Sequence, residues 1–151
     1  RDVLVATEPG ERVVNLPCNH AEGATERLGL RLREFDVVDL RVKGSPVSAE
    51  LADTPLRRRF GLQGRRGLRP DEGMLFFFPR SCRPRFVMKA VSFPISVAYI
   101  RADGVITDIY RMNPGNQRGV APSVRVNYVL EMEQGWFRAH QVAPGDEVLI
   151  P

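Results

Sequence analysis

Lysine is nearly missing from this chain: 20 of its 22 basic residues are arginine, and only Lys43 and Lys89 are lysine. Cysteine is scarce too, with only Cys18 and Cys82, and neither belongs to a CxxC pair, which excludes a zinc site of that type. His20 stands two positions from Cys18, too few ligands too close together for a metal centre, and His140 is isolated. No trio of His, Cys or carboxylate residues has ligand spacing, so neither a bound metal nor a cofactor is expected. No GxSxG, HExxH, phosphate-loop or dinucleotide fingerprint occurs, which removes the enzyme classes those motifs carry. The longest apolar runs fall short of 18 residues, so no helix that spans a membrane is expected. The chain has no initiator Met and no signal-like start; Arg1 reads as a trimmed end, with any export signal already removed.

Several of these shortages leave alternatives. A single disulfide between Cys18 and Cys82 is expected in an oxidising compartment, and two free thiols in a reducing one. The arginine excess suits phosphate neutralisation, but it equally fits a GC-rich genome and a solvated surface, which is the reading adopted. Nucleic acid is therefore not the expected partner.

What the chain has is room for one core, with 151 residues of which 43% are hydrophobic. Residues 1–36 lack firm periodicity and read as an N-terminal extension, whereas 37–151 read as one domain. Residues 37–52 alternate about a Gly-Ser-Pro turn, as a hairpin does. Thr54 and Pro55 are helix-start residues and Gly61 a stop, predicting a short helix with Leu56 and Phe60 on its inner face. The run from Met74 to Phe78, behind Asp71 and Glu72, predicts a strand buried on both faces, with Gly73 making the turn into it. Strands are also predicted at 85–90, at 94–112 as a hairpin about Ala102–Gly104, at 124–132 and at 146–151, with a short helix at 135–141. The sum is an all-β fold: a jelly-roll-like β-sandwich or barrel of seven to nine strands with two short helices.

From Val47 to Ile150 the order of segments resembles the bacterial and archaeal family known as domain of unknown function 192. The resemblance rests on LADTPLRRRFGLQGRRGLRPDEGMLFFFP, RFVMK, FPISVAYIRADGVI, YVLEMEQGW and APGDEV, in that order. Its shared positions fall on Gly61-Leu62, Arg65, Gly73 to Phe76, Tyr128 to Glu131 and Gly145-Asp146. The family's Phe-Trp-Met-Lys-Asn is here Phe86 to Ala90, without the Trp and the Asn, and its Pro-Leu-Asp-Ile is Pro94 to Val97, with Ser96 for the Asp. The resemblance implies a small all-β protein, often exported or lipoprotein-anchored, with no agreed activity. A periplasmic or envelope location is expected rather than a cytoplasmic one.

The candidate ligand-binding residues are Lys89, Glu131, Arg65, Arg58 and Ser96; no catalytic set is expected. Lys89 is a rare lysine in a predicted strand, with Glu131 as its expected partner at a polar concavity. Asp71 and Glu72 point to different sides and suit a solvated turn better than acid–base catalysis. The expected function is a non-enzymatic, monomeric module that binds a protein or small ligand. The alternatives are an enzyme using Lys89 and Glu131, and an anion or nucleic-acid site among Arg57–Arg69.

Overall fold

A computed structural model describes residues 35–151. Seven strands form one curled sheet: β1 (Val37–Val42), β2 (Ser45–Ala52), β3 (Glu72–Cys82), β4 (Ile95–Ile100), β5 (Ile106–Met112), β6 (Val126–Glu133) and β7 (Val148–Leu149). Among the described residues two short helices accompany them, α1 (Pro55–Phe60) and α2 (Trp136–Ala139). The strand order is β5-β4-β6-β3-β2-β1-β7. The segment leading into β7 reaches both edges: Lys43 N–H donates to Glu147 O (2.9 Å), and Ile106 N–H to Asp146 O (2.9 Å). The sheet therefore curls into a half-barrel, in keeping with the all-β expectation. Of the two architectures named, it takes the barrel-like one.

β1 and β2 form the expected hairpin, but the turn is Lys43-Gly44, not Gly-Ser-Pro. Both residues have positive φ (49° and 86°), the conformation that matches the twist of paired strands. Pro46 lies inside β2, opposite Arg41. β2 and β3 then pair in parallel, the crossover being made through α1. Thr54 caps α1 by accepting the Arg57 N–H (3.2 Å), and Pro55 occupies its first turn, as predicted. The inner residue of the helix is not as expected: Arg58 is fully buried, while Leu56 and Phe60 are half-buried.

The registers define the two faces. Glu50, Met74, Glu131, Val97 and Tyr110 stand in one lateral row, and Ala52, Phe76, Val129, Tyr99 and Asp108 in the next. These rows project to the convex face, where Phe76, Phe78, Phe86 and Tyr99 form a core with Leu62 and Met88. Between them, on the concave face, lie Leu51, Leu75, Leu130, Ala98 and Ile109, and then Ala49, Gly73, Met132, Ser96 and Arg111. Leu40, Val42, Ile106, Trp136 and Phe137 complete that second core. The strand after Gly73 is thus covered on both sides, as its composition predicts; only Phe77, beside Tyr128, stays half-buried.

Gly73 has another role than the one expected of it. The turn is made by Asp71, at φ 59°, and Gly73 is needed because a Cβ there would meet the Glu131 carbonyl and the Met132 sulfur. The predicted strand at 85–90 is not one either. Apart from a bridge between Phe86 and Val120 it is a loop laid over the convex face. Its alternating Phe86 and Met88 enter the core, while Met88 N–H donates to Asn116 O (3.2 Å) in another loop. The alternation is real, but the backbone pairs with a loop instead of the sheet. Cys82, at the end of β3, is buried and disulfide-bonded. The sequence's other cysteine, Cys18, lies outside the described residues, as does most of the expected 1–36 extension.

Candidate functional site

The five candidate residues do not share one site. Glu131 and Ser96 sit on adjacent strands but one residue out of step, since Val97 is the partner of Glu131 and Met132 that of Ser96. Their side chains therefore leave opposite faces of the sheet. Glu131 is fully buried in the convex core beside Met74 and Val97, and its charge adds to burial in holding the Tyr99 hydroxyl well above the usual tyrosine range. Lys89 is exposed, in a turn of the loop covering that face, and not in a strand. Arg58 lies beneath α1, with its Cζ 5.1 Å from the centroid of Phe78 and Nη1 donating to Phe77 O (2.8 Å). An arginine in such a place braces the middle of β3 and is withdrawn from solvent.

Arg65 forms a two-pronged pair with Glu50, at 2.6 and 2.9 Å. The bond to Glu50 raises the guanidinium above its ordinary range. The pair separates two shallow depressions of about 300 and 470 Å³, both lined by Glu50 and Arg65. Arg65, the cation common to both depressions, is thus already matched by an anion. The arginines of the 57–69 stretch scatter in the same way: Arg57 approaches Asp53 (3.4 Å), Arg58 is buried and Arg65 is paired.

A wider concavity, of about 640 Å³, opens on the concave side between the β4–β5 edge and the turn after α2. Phe137, Val142 and Ile109 line it with apolar surface, Ser96 lies in its wall, and Arg111 and Arg138 stand exposed at its margin. Ser96 Oγ accepts the Gly135 N–H (3.1 Å), which ties the start of α2 to β4. Arg111 is the β5 partner of Ser96, so strand register alone places it beside the hydroxyl.

The fold has counterparts among known proteins. The model of an uncharacterised family, DUF192 (Uncharacterized ACR), matches residues 38–150. The chain belongs to the DUF192 family. No curated protein matches it. Among solved structures it is similar to a Sinorhizobium meliloti 1021 protein described as a "putative transcription regulator", with a TM-score of 0.74 and 30% identity over 78% of this chain and 95% of that one. It is also similar to a protein of unknown function from Novosphingobium aromaticivorans DSM 12444, with a TM-score of 0.73 and 24% identity over 85% and 95% of the two chains. The second likeness is one of fold alone.

Within this DUF192 domain, two polar constellations had no sequence signal. Asp71 accepts the Trp136 indole N–H (2.9 Å), while His140 stacks on that indole with centroids 3.9 Å apart. His140 Nδ1 lies 2.8 Å from Trp136 O and Nε2 3.9 Å from Asp71, too far for a hydrogen bond. The cluster anchors α2 to the turn before β3. Its members are brought together by the fold across 65 positions, beyond the reach of any spacing rule. Asp108 is the second case. Burial pushes its carboxyl up, but the Thr107 hydroxyl, the Ser123 N–H and hydroxyl, and the Tyr110 hydroxyl outweigh that and hold it below the usual carboxylate range. It ties the loop before β6 to β5.

Proposed function

We propose that this protein is a non-enzymatic binding module whose ligand site is the concavity around Ser96. One observation carries the reading: an apolar floor, a buried hydroxyl and two exposed guanidiniums converge there, the composition of a small-ligand site. Its volume of about 640 Å³ also falls within the range of such sites. The alternative of catalysis by Lys89 and Glu131 is less well supported, since a carboxylate with no solvent access is poorly placed to meet a substrate. The reading is tested by screening a fragment library against the isotope-labelled full chain. Hits should perturb the amides of 134–144 and of β4; hits confined to other surfaces overturn it.

An exported location belongs to the same proposal. It is supported by the disulfide at Cys82, because such bonds persist mainly outside the reducing cytosol. Thiol titration of the denatured, unreduced protein isolated from its native host should find no free thiol, and two reactive thiols would place the chain in a reducing compartment.

A further inference from the structure

The polar groups of the Ser96 concavity are unequally committed. The Gln134 amide nitrogen is engaged by the carbonyl oxygens of Met112 (3.2 Å) and Asn113 (3.1 Å), and Gln141 O accepts from Lys43 Nζ (2.7 Å). Ser96 differs. It is 2% exposed and its oxygen accepts from Gly135, but among the described residues its own O–H has no acceptor. A buried hydroxyl in the wall of a concavity, with its proton uncommitted, is a donor that a ligand would satisfy.

The charge pattern agrees. Arg111 and Arg138 have no carboxylate within ion-pair distance among the described residues, unlike Arg57, Arg65 and Arg101, each of which does. Among the described residues, no acidic one lines the concavity. Asp146, the nearest in sequence to its far wall, accepts the Ala143 N–H (2.8 Å) and faces Lys43 (3.6 Å). Glu133 is paired with Ile95 in the row that projects to the opposite face. Two cations and one buried donor thus surround an apolar floor of Ile109, Phe137 and Val142.

We infer that the concavity binds an amphipathic carboxylate, an alkyl or aryl chain ending in a single anionic head. The inference rests on the proposed binding role and adds the ligand's class. The chain covers the apolar floor. One carboxylate oxygen accepts the Ser96 hydroxyl, and the other meets the guanidinium of Arg111 or Arg138, whose fork matches a carboxylate. A phosphate head is the poorer fit, because nearly two charges would have to be desolvated beside a buried serine instead of one.

The test uses the full chain with decanoate, decyl phosphate, decanol and decyltrimethylammonium, each below its micellar concentration. Binding is followed by calorimetry and by amide shifts. Decanoate should bind most tightly and perturb residues of β4 and of 134–144. Of Arg111→Gln and Arg138→Gln, the one that removes the guanidinium meeting the carboxylate should weaken decanoate about tenfold, the loss of one charge-assisted bond, and both should leave decanol binding unchanged. Ser96→Ala should weaken decanoate by a smaller factor. If none of the four compounds perturbs the concavity, the binding role itself falls. If decanol or the ammonium binds there as well as decanoate, the role stands and the carboxylate assignment is overturned. Tighter binding of decyl phosphate also overturns that assignment.

Discussion

The convex and concave faces of the sheet come from the same strands but are finished differently. On the convex side, Phe76, Phe78 and Tyr99 lie under α1 and the loop carrying Phe86, Met88 and Val91, and even the polar Glu131 is sealed in. On the concave side, Leu75, Leu130 and Trp136 form a comparable core, but the sheet is left uncovered toward β5, where Ser96 and Arg111 meet the open concavity. The closed face has few ways to meet a ligand without unfolding its cover. The open face presents its polar groups at a margin that already exists. On the proposed function, stability and recognition are divided between the two sides of one sheet.

The strongest test of that division is Phe76→Ala, which removes a fully buried ring in edge-to-face contact with Phe86 at 4.8 Å between centroids. It should cost about 3–5 kcal/mol through the cavity left behind, read by urea unfolding. A small loss would mean that the covering loop is not part of the core. Glu131 is the next probe. Met88 and Val91, on either side of Lys89, pack in the same core as Met74 and Val97, the lateral neighbours of Glu131. On the proposal that Lys89 and Glu131 act as a pair, Glu131→Gln and Lys89→Met, made singly and together, should be strongly coupled. Loss of one partner should then cost about 3–5 kcal/mol. Additive effects would assign the buried carboxylate to another partner.

Smaller changes sharpen the contrast at the loops and the rim. The Asp108 carboxyl is held below its ordinary value, so the stability it contributes is present above the unfolded-state value of about 3.9 and is lost as pH falls through its folded-state value. Asp108→Asn should therefore cost about 1 kcal/mol at neutral pH, from weakened bonds to Thr107 and Ser123, with the difference from the unmodified chain shrinking below about pH 4. A difference independent of pH would deny the carboxylate this role. At the other end of the scale, Arg111→Gln should change stability by no more than about 0.5 kcal/mol, because the side chain is exposed and without an ion-pair partner among the described residues. A larger loss would make Arg111 part of the scaffold and weaken the case for a ligand site.

Strand β3 and helix α1 show how much of the fold was legible beforehand. Five consecutive apolar residues from Met74 to Phe78 can be buried only by covering both faces of a strand, and both are covered. Thr54, Pro55 and Gly61 act within a few residues of one another, so local chemistry suffices to place the helix. Loop 83–93 was legible only in part. Its alternating apolar residues announce burial, but alternation does not say whether the backbone pairs with a sheet or lies across one. Arg58 was misplaced for a similar reason: helical spacing favours Leu56 and Phe60 inside, whereas the Phe77 carbonyl and the Phe78 ring create a place suited to a guanidinium.

The sequence by itself determined the family, the all-β class, the short helix and the hydrophobic weight of β3, because each depends on residues close together in the chain. Tertiary structure alone decided which candidates meet. A one-residue offset between β4 and β6 sends Ser96 and Glu131 to opposite faces, and the register of β4 with β5 sets Arg111 beside Ser96. Side chains in a strand alternate with period two, so a single step of register turns a site residue into a core residue. Register is set by pairing between distant segments, and no short stretch of sequence contains it.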